Sequence, residues 1–102
     1  MSVVVVATIT PLPAHRDEVI AAFTSVIPQV HAEDGCELYA LHPTSGRLIM
    51  IEKWASREAL SAHGTGATLA ALNPQLAGKV SGAPEVIVLD AVPAGQADKG
   101  EL

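Results

Sequence analysis

The chain has 102 residues, of which 49% are hydrophobic and 17% are charged, a composition that predicts one folded domain and excludes a disordered chain. Its formal net charge is -5, with six Lys and Arg against eleven Asp and Glu and no basic cluster. Because nucleic acids and anionic membranes are bound through clustered cations, we expect neither as a partner.

The compartment is expected to be the cytoplasm. The longest purely apolar run, residues 3–7, is far too short to span a bilayer, and no charged segment followed by an apolar one indicates a signal peptide. The only cysteine, Cys36, has no partner for an internal disulfide, which fits a reducing compartment. We therefore interpret Cys36 as a structural thiol.

The first two predicted elements are a strand and a helix. Residues 2–10 contain the β-branched run VVVVATIT, which is typical of a buried strand. Over residues 14–35 the apolar spacing changes to three and four, which predicts a helix that is kinked at Pro28 and capped by Gly35. Its apolar face comprises Val19, Ile20, Phe23, Val26, Ile27 and Val30.

A predicted hairpin follows. Residues 36–42 and 47–54 are apolar runs, and the HPTSG segment between them supplies turn-forming residues. Side chains alternate along a strand, so the second run presents two different faces. Leu48, Met50, Glu52 and Trp54 share one face, and Ile49, Ile51 and Lys53 share the other.

The remaining elements are helical until the last strand. Ser56 is predicted to cap a helix that ends in His63, and the pattern resumes after two glycines over residues 67–76. Residues 85–92 (EVIVLDAV) predict the last strand, and residues 94–102 predict a polar tail.

The predicted order within residues 1–93 is β-α-β-β-α-β in a single domain. This order is typical of a ferredoxin-like α+β fold, with a four-stranded antiparallel sheet and helices on one face. Residues 3–6 and 86–89 are apolar at every position, so the face without helices requires a cover. The simplest cover is the same sheet from a second copy, which predicts a homodimer with the sheets face to face.

Two residues of the third strand are candidates for a site. Glu52 lies in an apolar row, where a carboxyl must be hydrogen-bonded, paired or protonated. Trp54 carries an indole donor that needs a partner when buried. A structural Glu and a core Trp remain open as alternatives. The alternation also leaves open whether Glu52 faces a cavity or the dimer interface.

His63 is the best candidate for a general base. It shares a helical face with Ala59 and Leu60 and can reach the space between helix and sheet. A structural histidine remains the alternative reading. His15, His31 and His42 fall at a helix start, a helix end and a turn, and are interpreted as surface residues.

Several common site motifs are missing from the sequence. It contains no HExxH, HxH or CxxC, so no metal site is predicted. It contains no GxGxxG or P-loop, so no nucleotide cofactor is predicted, and no GxSxG that would indicate a serine hydrolase.

The segments HAEDGCELYALH and LIMIEKWASREALSAH resemble the antibiotic biosynthesis monooxygenase family, most closely its small bacterial quinol monooxygenases. The likeness covers roughly residues 3–92. The residues that carry it are Glu33, Gly35, Cys36, Tyr39, Glu52, Trp54, Ala59, Leu60 and His63.

The resemblance implies a dimeric α+β barrel in which each subunit encloses a cavity between sheet and helices. It also implies oxygenation of a quinol or related electron-rich aromatic compound by O2 without metal, flavin or haem. In that scheme His63 is the base or proton shuttle, and Glu52 orients a partner group or the substrate hydroxyl. The substrate-binding residues would be Trp54, Tyr39, Met50, Phe23 and Leu72.

Haem degradation is not expected, because the haem-degrading relatives use an Asn at the site and the only Asn here is Asn73, beside Pro74. Two other functions remain open. One is isomerisation of a small carbonyl compound by His63 and Glu52; a phosphorylated substrate would then require Arg47, Arg57 or Lys53 at the cavity mouth. The other is a binding module without catalysis.

Overall fold

The computed structural model describes residues 2–102 and contains one four-stranded sheet with its three longer helices on one side. The strands are β1 (Val3–Ile9), β2 (Cys36–Pro43), β3 (Leu48–Trp54) and β4 (Glu85–Leu89). The helices are α1 (Arg16–His31), α2 (Arg57–Gly64), α3 (Ala67–Leu76) and the short α4 (Ala97–Gly100), and a 3-10 turn covers Pro13–His15.

The sheet order is β2-β3-β1-β4, and every neighbouring pair is antiparallel. This arrangement confirms the predicted ferredoxin-like α+β fold. Within residues 2–102, no helix is long and apolar enough to cross a membrane.

Alternation along β1 and β3 places the core on one face of the sheet. Every second residue of both strands is buried beneath the helices, and the residues between them are only partly buried. Helix α1 packs against α3 and β2, and α2 packs against α3 and β3. The buried helical residues are Val19, Ala22, Phe23, Val26 and Val30 of α1, His63 of α2, and Leu72 and Leu76 of α3.

Two predicted boundaries are wrong for local reasons. Helix α1 starts at Arg16 and ends at His31, four residues before Gly35, and it continues through Pro28. The proline removes one backbone donor, to the carbonyl of the exposed Thr24, where water can replace it. Strand β4 ends at Leu89 rather than at residue 92. Leu89 pairs with Val4, and β1 begins at Val3, so only one residue of β1 remains to pair with a longer β4.

The second face of the sheet carries mostly apolar side chains that α1, α2 and α3 do not cover; at one end Val4 and Lys53 share a small pocket with Ala97 of α4 and Leu102. We call this the open face: Val4, Val6 and Thr8 of β1, Leu38, Ala40 and His42 of β2, Ile49, Ile51 and Lys53 of β3, and Glu85, Ile87 and Leu89 of β4, as the strand register sets them. Ile87 is 47% exposed and Leu89 41% exposed. β4 is exposed on its other side too, since Val86, which pairs with Ala7, is 57% exposed.

Candidate active site

A cavity of about 200 Å³ lies between the helix-covered face of the sheet and helices α1, α2 and α3. Its walls are largely aliphatic and aromatic. Its polar side chains are Tyr39, Glu52, His63 and, at the exposed rim, Asn73. The other lining residues are Val5, Ala7, Ile9, Phe23, Met50, Leu60, Gly64, Leu69, Leu72, Leu76, Pro84 and Val86.

The register of the sheet decides which way Glu52 faces. Glu52 lies opposite Val5 on one side and Tyr39 on the other, and all three line the cavity. Its side chain therefore points toward the helices and away from the open face. Its Oε1 accepts a hydrogen bond of 2.9 Å from Nε1 of Trp54, two residues along the same strand. The indole thus fixes one carboxyl oxygen.

Burial governs the ionisation of Glu52. Desolvation raises the pKa of this carboxyl, and the hydrogen bond from Trp54 and the nearby His63 oppose the increase without cancelling it. A neutral carboxylic acid can donate a proton as well as accept one. Glu52 can therefore serve either as donor or as acceptor to a hydroxyl group in the cavity.

His63 occupies the last turn of α2, where its side chain is only 5% exposed and lines the cavity. Its Nδ1 lies 2.9 Å from Oε1 of Glu33. The imidazole ring lies against two aromatic rings, with centroid distances of 4.5 Å to Trp54 and 5.3 Å to Tyr39. The ring is thus held by a carboxyl at Nδ1 and by packing against the rings of Trp54 and Tyr39.

Tyr39 presents a phenol to this cluster. Burial first, and the carboxyl of Glu52 second, raise the pKa of Tyr39 far above its ordinary value of 10.0. Its hydroxyl therefore keeps its proton at physiological pH. Tyr39 is suited to donate a hydrogen bond and to provide a wall, and it is unsuited to act as a base.

The structure brings six of the seven predicted site residues to the cavity and leaves one behind it. His63, Glu52, Tyr39, Met50, Phe23 and Leu72 all line the cavity. Trp54 does not: it is fully buried and contacts three residues that line the cavity, Glu52, His63 and Tyr39. The substrate-binding role predicted for Trp54 would therefore be indirect, and the roles of all seven remain predictions.

Glu33 is the residue that the sequence did not single out for a role. It lies in the loop between α1 and β2, thirty positions before its partner His63. It belongs to the acidic-Gly-Cys pattern of the family resemblance, but no spacing rule connects a loop carboxyl to a distant helical histidine. Only the packing of the loop against α2 reveals the pair.

No Lys or Arg side chain of the described residues lines the cavity. Lys53 lies on the open face, and Arg57 is exposed and paired with Asp90 at 3.3 Å. Arg47 is exposed beside the hairpin turn. Apart from the imidazole of His63, the cavity therefore offers no basic side chain to a phosphate or carboxylate group, and it suits an uncharged ligand.

The other titratable groups named in the sequence lie outside the cavity. His31 contacts the backbone carbonyl of Tyr39 through Nε2 at 3.0 Å, His15 contacts Glu18, and His42 contacts its own strand. Cys36 is half-buried, and desolvation raises the pKa of its thiol. Residues 2–102 contain no group of three or more His, Cys, Asp or Glu side chains that could hold a metal ion.

The arrangement is suited to moving a proton inside an apolar enclosure. An imidazole and a carboxyl that is hard to ionise line the same cavity, which has few other polar groups. The size indicates the scale of the ligand, since a cavity of ~150 Å³ holds a benzene molecule. A compound with one ring or two fused rings is therefore of a size that fits the cavity.

The sequence and the fold were compared with those of known proteins. The family model for antibiotic biosynthesis monooxygenases matches residues 2–74. Among curated proteins, none matches the chain.

Several solved structures share the fold over nearly the whole chain. A Caulobacter crescentus protein classed as a candidate antibiotic biosynthesis monooxygenase is 32% identical, with a TM-score of 0.82 over 89% of this chain and 90% of that one. Rv0793 from Mycobacterium tuberculosis is 28% identical, with a TM-score of 0.84 over 94% of this chain and 100% of that one.

Proposed function

Because the chain belongs to the antibiotic biosynthesis monooxygenase family, we propose that it oxidises a quinol or a related electron-rich aromatic compound with O2 and requires no cofactor. One observation carries the proposal. His63 and Glu52 line an otherwise largely apolar cavity of about 200 Å³ that contains no Lys or Arg within the described part of the chain.

In the proposed reaction the substrate itself supplies the electrons. His63 takes the proton of a substrate hydroxyl, and the resulting anion is a far better electron donor than the neutral quinol. One electron passes to O2, and the two radicals combine to form a carbon–oxygen bond. Loss of water then leaves a hydroxyquinone. One oxygen atom of O2 enters the product, the other leaves as water, and the quinol is oxidised by four electrons.

Each side chain at the cavity has a task in this scheme. Glu52, held by Trp54, positions the substrate hydroxyl by accepting or donating a hydrogen bond. Tyr39 and Phe23 supply flat apolar walls for an aromatic ring. The apolar lining keeps water from competing with O2 and the substrate anion.

Oxygen uptake in the presence of a metal chelator tests the proposal. The substrates are benzohydroquinones and naphthohydroquinones, which have one and two rings, and the background is their spontaneous oxidation. We expect uptake above this background, a product that carries one atom of ¹⁸O from ¹⁸O2, and water rather than hydrogen peroxide as the second product. Uptake equal to the background over the whole panel, or hydrogen peroxide in place of labelled product, would overturn the proposal.

A pair of histidine variants tests the assigned base. His63→Ala is expected to lower kcat by roughly 100-fold, since a positioned base contributes about 10²–10⁴ in rate. The matched control is His15→Ala, because His15 is a surface histidine of the 3-10 turn that contacts only Glu18. Equal losses in the two variants would remove His63 from the mechanism.

Isomerisation of a small carbonyl compound is the second candidate, because the same imidazole and carboxyl could move a proton between carbon and oxygen. The positions of Lys53, Arg47 and Arg57 favour an uncharged substrate in that case also. Exchange of α-hydrogens for solvent deuterium, without oxygen uptake, would support this candidate. Ligand binding with neither reaction would support a binding module.

We also propose that the open face packs against the same face of a second copy. Members of the family are commonly dimeric. The open face carries apolar side chains on all four strands, with Ile87 and Leu89 over 40% exposed in the single chain. Sedimentation equilibrium over a range of protein concentrations tests this proposal, and a monomer at every concentration would contradict it.

A further inference from the structure

The contact between Glu33 and His63 joins two elements that lie far apart in the sequence. Glu33 follows α1, and His63 closes α2. The loop that carries Glu33 is held by its own backbone: its N–H donates to the Val30 carbonyl at 3.0 Å, and its carbonyl accepts from the Cys36 N–H at 3.1 Å. The carboxyl is therefore presented from a fixed backbone rather than from a loose loop.

Gly35 allows this loop to approach α2. Its φ is +81°, and a Cβ at this position would lie 2.5 Å from the Cβ of Ala59, so no larger residue fits without movement. The Gly35 carbonyl also accepts a hydrogen bond of 2.8 Å from the Ala55 N–H. Ala59 lies one helical turn before His63, so the same contact that seats the loop brings Glu33 beside the imidazole.

The surroundings of Glu33 leave it a single partner. Its Oε2 is buried and makes no hydrogen bond, and its Oε1 contacts Nδ1 of His63 at 2.9 Å. Glu33 in its carboxylate form can only accept hydrogen bonds, which would place the hydrogen of this contact on Nδ1. Glu33 does not line the cavity, whereas His63 does. Nδ1 is thus occupied by a residue outside the cavity lining, which leaves Nε2 as the ring nitrogen available to the cavity.

We propose that Glu33 is a positioning residue that holds the hydrogen of neutral His63 on Nδ1, so that the unprotonated Nε2 faces the cavity as the proton acceptor. The tautomer assignment is independent of the proposed function, whereas the acceptor role rests on it. When Nε2 takes a proton, the Glu33 carboxylate also stabilises the imidazolium that forms. Trp54, packed on the imidazole at 4.5 Å, restricts rotation of the ring.

The first test is spectroscopic and needs no substrate. In alkaline buffer, where imidazole is neutral, ¹⁵N NMR distinguishes a histidine nitrogen that carries hydrogen from one that does not. We expect wild-type His63 to carry hydrogen on Nδ1 and not on Nε2. Glu33→Gln, nearly the same size, replaces the carboxylate with an amide that can also donate, so we expect a mixture of tautomers. Glu33→Asp is expected to restore part of the wild-type population.

The control is Glu37→Gln, which removes a nearby carboxylate that hydrogen-bonds to Ser2 and does not line the cavity. It is expected to leave the His63 signals unchanged. Circular dichroism and thermal unfolding establish that each variant is folded. Gly35→Ala gives a second approach, because it displaces the loop while keeping the carboxylate. Hydrogen on Nε2 in the wild type, or an unchanged tautomer in Glu33→Gln, would overturn the proposal.

The second test uses turnover. Glu33→Gln is expected to lower kcat by at least about tenfold with little change in KM, because part of the contribution of the base is lost while the cavity walls are intact. If no substrate is turned over, the proposed function fails and the tautomer result still decides the assignment. If His63→Ala lowers kcat and Glu33→Gln does not, the proposed function stands and the positioning role of Glu33 is refuted.

Discussion

The Glu52→Gln variant should gain stability relative to the wild type as the pH rises, because the wild type loses stability when Glu52 ionises. Burial raises the pKa of Glu52 in the folded chain above its ordinary value of 4.5, so the folded chain holds this proton to a higher pH than the unfolded chain does. The stability that the protonated carboxyl contributes is fully present below pH 4.5. It is lost as the pH rises through the higher pKa that Glu52 has in the folded chain. Gln cannot ionise, and its carbonyl can still accept the hydrogen bond from Trp54.

The size of the effect follows from one proton. Between the unfolded and folded pKa values of Glu52, the free energies of unfolding of variant and wild type should diverge by up to about 1.4 kcal/mol per pH unit. Near the melting temperature of a domain of this size, about 1.4 kcal/mol corresponds to a Tm difference of roughly 5–10 °C.

Urea unfolding in buffers from acidic to neutral pH measures this difference. The control is Glu85→Gln, because Glu85 is exposed at the start of β4 and its variant should follow the wild type at every pH. A difference between Glu52→Gln and wild type that is constant with pH, or that falls as pH rises, would refute the assignment of burial as the dominant effect.

Three further substitutions test the packing around the site. Trp54→Phe should cost about 2–4 kcal/mol of unfolding free energy in urea titrations, because it removes a buried donor and leaves a void; a loss below about 0.5 kcal/mol would contradict this. Gly35→Ala should cost about 2–4 kcal/mol of unfolding free energy, partly from the clash with the Cβ of Ala59 and partly from the positive φ. Adding Ala59→Gly should recover the part due to the clash and not the part due to φ. Strictly additive effects of the two substitutions would contradict the contact between Gly35 and Ala59. Ile51→Glu on the open face should shift the sedimentation equilibrium toward monomer, whereas an unchanged dimer would place the interface elsewhere.

The sequence predicted which side chains share a face or lie in the core wherever the apolar residues repeat with the period of a strand or a helix. Alternation in β3 correctly put Met50 and Glu52 on the same face, and helical spacing correctly put Phe23 of α1 in the core. Alternation assigns two faces without saying which one the helices cover, so the direction of Glu52 required the structure.

What the sequence missed depends on contacts between distant segments. The pairing of Glu33 with His63 is set by how the loop after α1 seats on α2, and no local pattern encodes that distance. The substrate-binding role of Trp54 stays a prediction; the structure packs its indole against His63 at 4.5 Å, outside the lining of the cavity. Pro28 was predicted inside the helix, and α1 contains it, with the missing backbone donor on the exposed side of the helix.

The position of Trp54 gives the protein a built-in optical reporter. It is the only tryptophan in the chain, so all indole fluorescence arises from one ring that lies against the imidazole and donates to the cavity carboxyl. Protonated imidazole quenches indole emission on contact, and a bound quinone would do so by energy or electron transfer. Emission measured without any label should therefore follow both the charge of His63 and the occupancy of the cavity, in the same cuvette in which turnover is recorded.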